Sequence, residues 1–103
     1  MSGRVLLADN DKSFVKGLKY SLEQDDYQID IVYNASSALE YIGKRAYDIV
    51  LMDILLPDGN GLSLCQNIRS TSNVPIIFIT EVNEDIKKIL ALEYGADDYL
   101  VKP

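Results

Sequence analysis

Apolar residues along this chain come in two rhythms. Runs such as Val5-Leu6-Leu7-Ala8, Ile49-Val50-Leu51-Met52 and Ile76-Ile77-Phe78-Ile79 are nearly continuous, and between them apolar residues recur every third or fourth position. The first rhythm reads as buried strand and the second as amphipathic helix. It predicts strands at 4–8, 28–33, 48–53, 75–79 and 98–101. Helices are predicted at 12–24 (Phe14, Leu18, Leu22 inward), 35–43 (Ala35, Ala38, Leu39, Ile42) and 61–71 (Leu64, Cys65, Ile68). A fourth, 84–94, is predicted to turn Ile86, Ile89, Leu90 and Leu92 inward, with Tyr94. Asp11 and Asn34 are placed as N-caps and Gly95 as the C′ residue of the last helix.

Strands separated by helices imply parallel pairing with right-handed crossovers, a doubly wound α/β domain. Strands 4–8, 48–53 and 75–79 suit central positions covered on both faces. Strand 28–33 alternates, Ile29, Ile31 and Tyr33 against Gln28, Asp30 and Val32, and suits an edge. The sequence ends at Pro103, directly after the fifth strand. Four helices leave one face of a five-stranded sheet short of cover. The expectation is a shortened domain whose last helix is missing or comes from elsewhere, with an apolar patch where that helix would lie.

Composition narrows the function. A chain of 103 residues holds one domain, here 1–103. A net charge of −6 disfavours direct binding to nucleic acid or anionic membrane and fits a site that holds a cation. Cys65 is the single cysteine, so no intrachain disulfide can form, and its apolar neighbours mark it as packing. The chain has no histidine, which excludes Ser-His-Asp catalysis and imidazole ligation. No apolar stretch approaches the roughly 18 residues of a membrane span, so a soluble, cytoplasmic domain is expected.

Polar residues with chemistry in them stand at the ends of the strand-like runs. Asp53 ends the run that begins at Asp48; Asp9 and Asn10 follow Ala8; Thr80 follows Ile79; Lys102 follows Val101. Open α/β sheets place their ligands at these carboxyl ends. Phosphoryl transfer asks a protein for positioning and charge neutralisation more than for covalent chemistry. Packed carboxylates in turn need a cation: two unit charges ~4 Å apart repel by about 4 kcal/mol at an effective dielectric near 20. A strand-end aspartate also serves as nucleophile in metal-dependent phosphatases. Those enzymes usually carry a second aspartate two residues on, where this chain has Leu55.

Five segments together resemble the receiver domain of two-component response regulators. They are Leu6-Leu7-Ala8-Asp9-Asn10-Asp11, Asp48-Ile49-Val50-Leu51-Met52-Asp53, Leu56-Pro57-Asp58-Gly59-Asn60-Gly61, Ile77-Phe78-Ile79-Thr80, and Gly95 through Pro103. The resemblance covers the whole chain. It implies a flavodoxin-like five-stranded sheet in the order 2-1-3-4-5. It implies that Asp53 accepts a phosphoryl group from a sensor histidine kinase, and that the protein is a switch rather than an enzyme. Mg²⁺ is then held by Asp9, Asn10, Asp53 and the Leu55 carbonyl. Thr80 and Lys102 meet the phosphoryl oxygens, and Tyr99 turns inward with them.

The same resemblance implies an output face over 84–101, carrying Lys87, Lys88, Glu93, Asp97 and Asp98, through which the subfamily of DNA-binding regulators forms homodimers. Contact with DNA is expected only through a further domain, and contact with membrane is not expected. Two positions depart from the family pattern. Asn10 replaces the usual second acid, which predicts weaker Mg²⁺ binding. Glu81 replaces a small residue and, with Val82, modulates access to Asp53. The competing reading is a pseudo-receiver, unphosphorylated, that works by protein–protein contact.

Overall fold

The computed structural model describes residues 3–103. Five parallel strands form one sheet: β1 (Arg4–Ala8), β2 (Gln28–Val32), β3 (Ile49–Met52), β6 (Ile76–Thr80) and β7 (Asp98–Val101), in the order β2-β1-β3-β6-β7. Counting only these five, the order is the expected 2-1-3-4-5. Between them run α1 (Lys12–Gln24), α2 (Ala35–Lys44), α3 (Gly61–Arg69) and α4 (Asp85–Glu93). The predicted hydrophobic rhythm thus becomes four helices within about two residues of their expected ends. A two-stranded antiparallel hairpin, β4 (Leu55–Leu56) with β5 (Gly59–Asn60), lies between β3 and α3.

Helix ends follow from local chemistry. Asp11 Oδ1 accepts from the Phe14 N–H at 3.1 Å, and Asn34 Oδ1 from the Ser37 N–H at 2.8 Å. Gly95 has φ +108°, a left-handed conformation that favours glycine. Its N–H meets Leu92 O at 3.1 Å and the Ala96 N–H meets Ala91 O at 3.0 Å, the two bonds of a Schellman stop.

The sheet separates two cores. Leu6, Ala8, Val50, Met52, Ile76 and Phe78 face α2, α3 and α4, while Val5, Leu7 and Leu51 face α1 with its Phe14, Val15, Leu18 and Leu22. Among the described residues α1 is the one helix on that second face, where Ile49, Ile77 and Ile79 are only partly buried and Leu100 is 47% exposed.

Two expectations need correction. Ile86, Ile89 and Leu92 do not face inward: each is more than half exposed. The inner seam of α4 is Ala91 with Leu90, because a small residue lets this short helix sit close to the sheet. Tyr33 does not join Ile29 and Ile31; β2 ends at Val32, which is itself buried, and Tyr33 is exposed under Lys12. Asp97, expected on the output face, also has partners away from it, while its side chain stays 57% exposed. It binds Arg69 at 3.0 Å and the Ile76 N–H at 2.8 Å, at the amino end of β6.

Candidate functional site

The carboxyl ends of β1, β3, β6 and β7 bring Asp9, Asp53, Thr80 and Lys102 together. Parallel register makes this happen: Ala8 is level with Met52, and Thr80 with Val101, so Asp9, Asp53 and Lys102, each just past its strand, arrive at one rim with Thr80, the last residue of β6. All four side chains are buried, Asp9 to 1% exposure and Asp53 to 5%.

Asp53 has a partner on each oxygen. Oδ1 accepts from the Thr80 hydroxyl and from the Leu55 N–H at 3.1 Å. Oδ2 accepts from Lys102 Nζ at 3.1 Å. That ammonium also lies 3.0 Å from Asp9 Oδ2 and 3.8 Å from Asp11 Oδ2, with the Phe14 ring centroid 4.4 Å away. Burial works against the charge on Lys102, but its attraction to Asp9 and Asp53 outweighs that and raises its pKa. For Asp9, burial dominates and raises the carboxyl pKa, against the Asp11 N–H (2.8 Å) and Lys102.

Asp9 Oδ2 is near Lys102 but off the hydrogen-bonding direction, and is the one buried side-chain oxygen without such a bond among the described residues. An orphaned carboxylate oxygen facing a second carboxylate is a donor set that suits Mg²⁺. That ion binds through one or two carboxylates and keeps several waters. Among the described residues no group of three or more acidic, histidine or cysteine side chains is arranged to hold a metal ion; Asp9 and Asp53 are the two buried carboxylates at this rim. Asn10 and Leu55 are exposed at the rim.

The remaining expected residues surround this centre. The Tyr99 hydroxyl donates to the Val82 carbonyl at 2.6 Å, and its ring packs on Phe78 with centroids 6.0 Å apart. The Tyr99 pKa is raised by burial first, then by the charges of Asp53 and Glu84. Glu81 is exposed, whereas Val82 is half-buried. The Lys102 N–H bonds the Thr80 carbonyl at 2.8 Å, so amine and hydroxyl ride on paired backbone.

Sequence reading missed how the hairpin serves the site. Asp58 accepts from the Ala35 and Ser36 N–H groups at 2.7 and 3.0 Å, adding a second cap to α2 from a distant loop. Those bonds lower its pKa. Asn60 caps α3 through the Leu62 N–H at 2.7 Å. The signal for Asn60 was present, an amide directly before a helical pattern; the Asp58 contact spans 23 residues and left none. Gly61 is needed for closeness rather than for a left-handed φ. A Cβ there would overlap the Asp53 carbonyl oxygen and fall 2.7 Å from Ile54 Cα.

Cavity size does not locate this chemistry. A cavity of about 530 Å³ lies near Tyr47 and Val74 and includes no residue of the site. A smaller cleft, about 360 Å³, runs from Leu55 to Val82 and Lys87 beside it.

Known proteins share this fold. The family model for the response regulator receiver domain matches residues 5–103. Response regulator ArlR of Staphylococcus saprophyticus is 37% identical over 97% of the chain, and that of Staphylococcus aureus 34% over 97%. The chain spans about half the length of these curated relatives, 46% in both cases. A two-component response regulator from Clostridium difficile superposes with TM-score 0.96 at 40% identity, covering 98% of this chain and 84% of that one. The BeF3-activated receiver domain of Klebsiella pneumoniae RstA does so with TM-score 0.93 at 30% identity, covering 96% and 85%.

Proposed function

The chain belongs to the response regulator receiver family, and on that footing we propose that Asp53 accepts a phosphoryl group from the phosphohistidine of a sensor histidine kinase. An Asp53 oxygen bonds to phosphorus as the phosphorus–nitrogen bond breaks, and the imidazole leaves with the electron pair. Asp9, the Leu55 carbonyl and Asp53 would hold Mg²⁺, with Asn10 at the rim, and the ion would supply positive charge beside the transferred group. Lys102 and Thr80 supply an ammonium and a hydroxyl to its oxygens. No separate substrate is turned over.

The observation that carries this reading is the set of donors on Asp53: the Thr80 hydroxyl and Leu55 N–H on Oδ1 and the Lys102 ammonium on Oδ2. A phosphoryl group brings more oxygens and more negative charge to these same donors. The response then passes through Thr80 and Tyr99 to the 84–101 face, a local charge event biasing a two-state element. That face bears exposed Ile86, Ile89 and Leu92, which suit a homodimer. In the whole protein, working in the cytoplasm, it controls a DNA-binding domain beyond this chain. No helix among the described residues is long and apolar enough to cross a membrane.

Incubation with a small phosphodonor and Mg²⁺, followed by intact mass, tests the reading. One phosphoryl group is expected on the native chain and none on Asp53→Asn. A second reading, the pseudo-receiver, draws on exposed Asn10 and on the Lys102 ammonium lying between Asp9 and Asp53. It gives no mass gain in the native chain. A gain only after Glu81→Ala would mark the site as blocked.

A further inference from the structure

We propose that Phe14 is a positioning residue for this site: its ring is the apolar wall of a seat that holds the Lys102 ammonium between Asp9 and Asp53. The proposal deepens the reading of Asp53 given above and rests on it. Three carboxylates approach the ammonium from one side, at 3.0 Å (Asp9), 3.1 Å (Asp53) and 3.8 Å (Asp11). The ring of Phe14 closes the seat with its centroid 4.4 Å away. Only 5% of the Lys102 side chain is exposed, so water does little to solvate this charge. In such a place the negative face of an aromatic ring attracts a cation more strongly than at an exposed site.

Phe14 also belongs to the inner stripe of α1, packed with Leu18 and Leu22 against β1 and β3. Packing accounts for an apolar residue there. It does not account for a ring face at cation–π distance from a lysine that reaches over from the end of β7. A leucine would fill most of the volume and offer the ammonium no quadrupole. The consequence concerns the choice between two cations. The ammonium stands between the two carboxylates that would hold Mg²⁺. Whatever holds it there sets how readily the metal enters.

The test compares native chain, Phe14→Leu and Phe14→Tyr, each with and without Lys102→Met. Magnesium titration of the unphosphorylated protein should show tighter binding in Phe14→Leu, by about threefold to thirtyfold. Phe14→Tyr should match the native chain, and the Phe14→Leu effect should vanish in the Lys102→Met background. A residue that only packs would weaken the metal site or leave it alone, in both backgrounds. Unchanged or weaker binding, or an equal shift without Lys102, overturns the proposal. A second readout needs no metal. NMR should place the Lys102 ε-methylene protons upfield in the native chain and in Phe14→Tyr but not in Phe14→Leu; an ordinary shift in the native chain overturns the seat. A native chain that shows the upfield shift yet binds no Mg²⁺ would instead count against the metal reading of the site.

Discussion

Gly61 and Asp53 meet backbone to backbone: the Gly61 N–H donates to Ile54 O at 2.8 Å, and its α-carbon leaves no room for a side chain against the Asp53 carbonyl. The first turn of α3 therefore fixes the main chain that carries Asp53. Both groups in conflict are backbone, so neither can swing aside. Gly61→Ala is expected to cost about 3 kcal/mol or more, the upper range for overpacking. Urea unfolding measures it, and a loss under ~1 kcal/mol would show that the loop can yield.

The second cap on α2 gives a local prediction. Asp58→Ala removes the acceptor for the Ala35 and Ser36 N–H groups. Hydrogen exchange at these two amides should speed up while that of β1 and β3 stays the same. Uniform behaviour across the domain would mean that the hairpin contact is not a cap in solution.

Asp30 sets a pH dependence at the far end of the sheet. It accepts from the Tyr47 hydroxyl at 2.7 Å and from Arg45 at 2.9 Å, with Arg4 at 3.7 Å. Burial pushes its pKa up, but Tyr47, Arg45 and Arg4 outweigh that and lower it. A lowered folded pKa means that the stabilising contribution is complete above the unfolded value, ~3.9, and is lost as pH falls through the folded one. The stability difference between native and Asp30→Asn should therefore shrink below about pH 4. A constant difference from neutral pH to pH 3 would remove Asp30 from the account.

Asp9 should trade stability for function. Its orphaned oxygen leaves a buried carboxylate incompletely paired. Asp9→Asn is expected to keep or raise thermal stability, by up to ~1 kcal/mol, while weakening Mg²⁺ binding. A loss of both would show that the ion pair with Lys102 is what holds this rim together.

The exposed face of α4 offers a test of self-association. Ile89 is 56% exposed, so Ile89→Glu should change stability by no more than ~0.5 kcal/mol. Sedimentation of the phosphorylated protein should nevertheless show less dimer. Equal association would move the interface elsewhere.

Legibility in the sequence followed the range of the interactions. Continuous runs gave β1, β3 and β6, and the polar residue after each run gave Asp9, Asp53 and Thr80, because strand direction and parallel register decide where run ends meet. The caps at Asp11 and Asn34 were readable because each acts within three residues. Longer-range side-chain contacts made away from the strand ends were not. Asp58 reaching α2 and Asp97 reaching Arg69 left no local trace. The inner face of α4 was misread because Ile86, Ile89 and Leu92 outweigh Ala91 in hydrophobicity, while the close approach to the sheet selects the small residue.

Thr80 and Lys102 have less freedom than two separate side chains. The carbonyl of one receives the N–H of the other, and Thr80 is paired in register with Val101, the residue just before Lys102. Any pull on the hydroxyl is thus transmitted along the β6–β7 ladder to the base of the ammonium arm. The site cannot answer a new charge on Asp53 by halves: one hinge serves both donors, and β7, an edge strand, is free to carry the displacement outward.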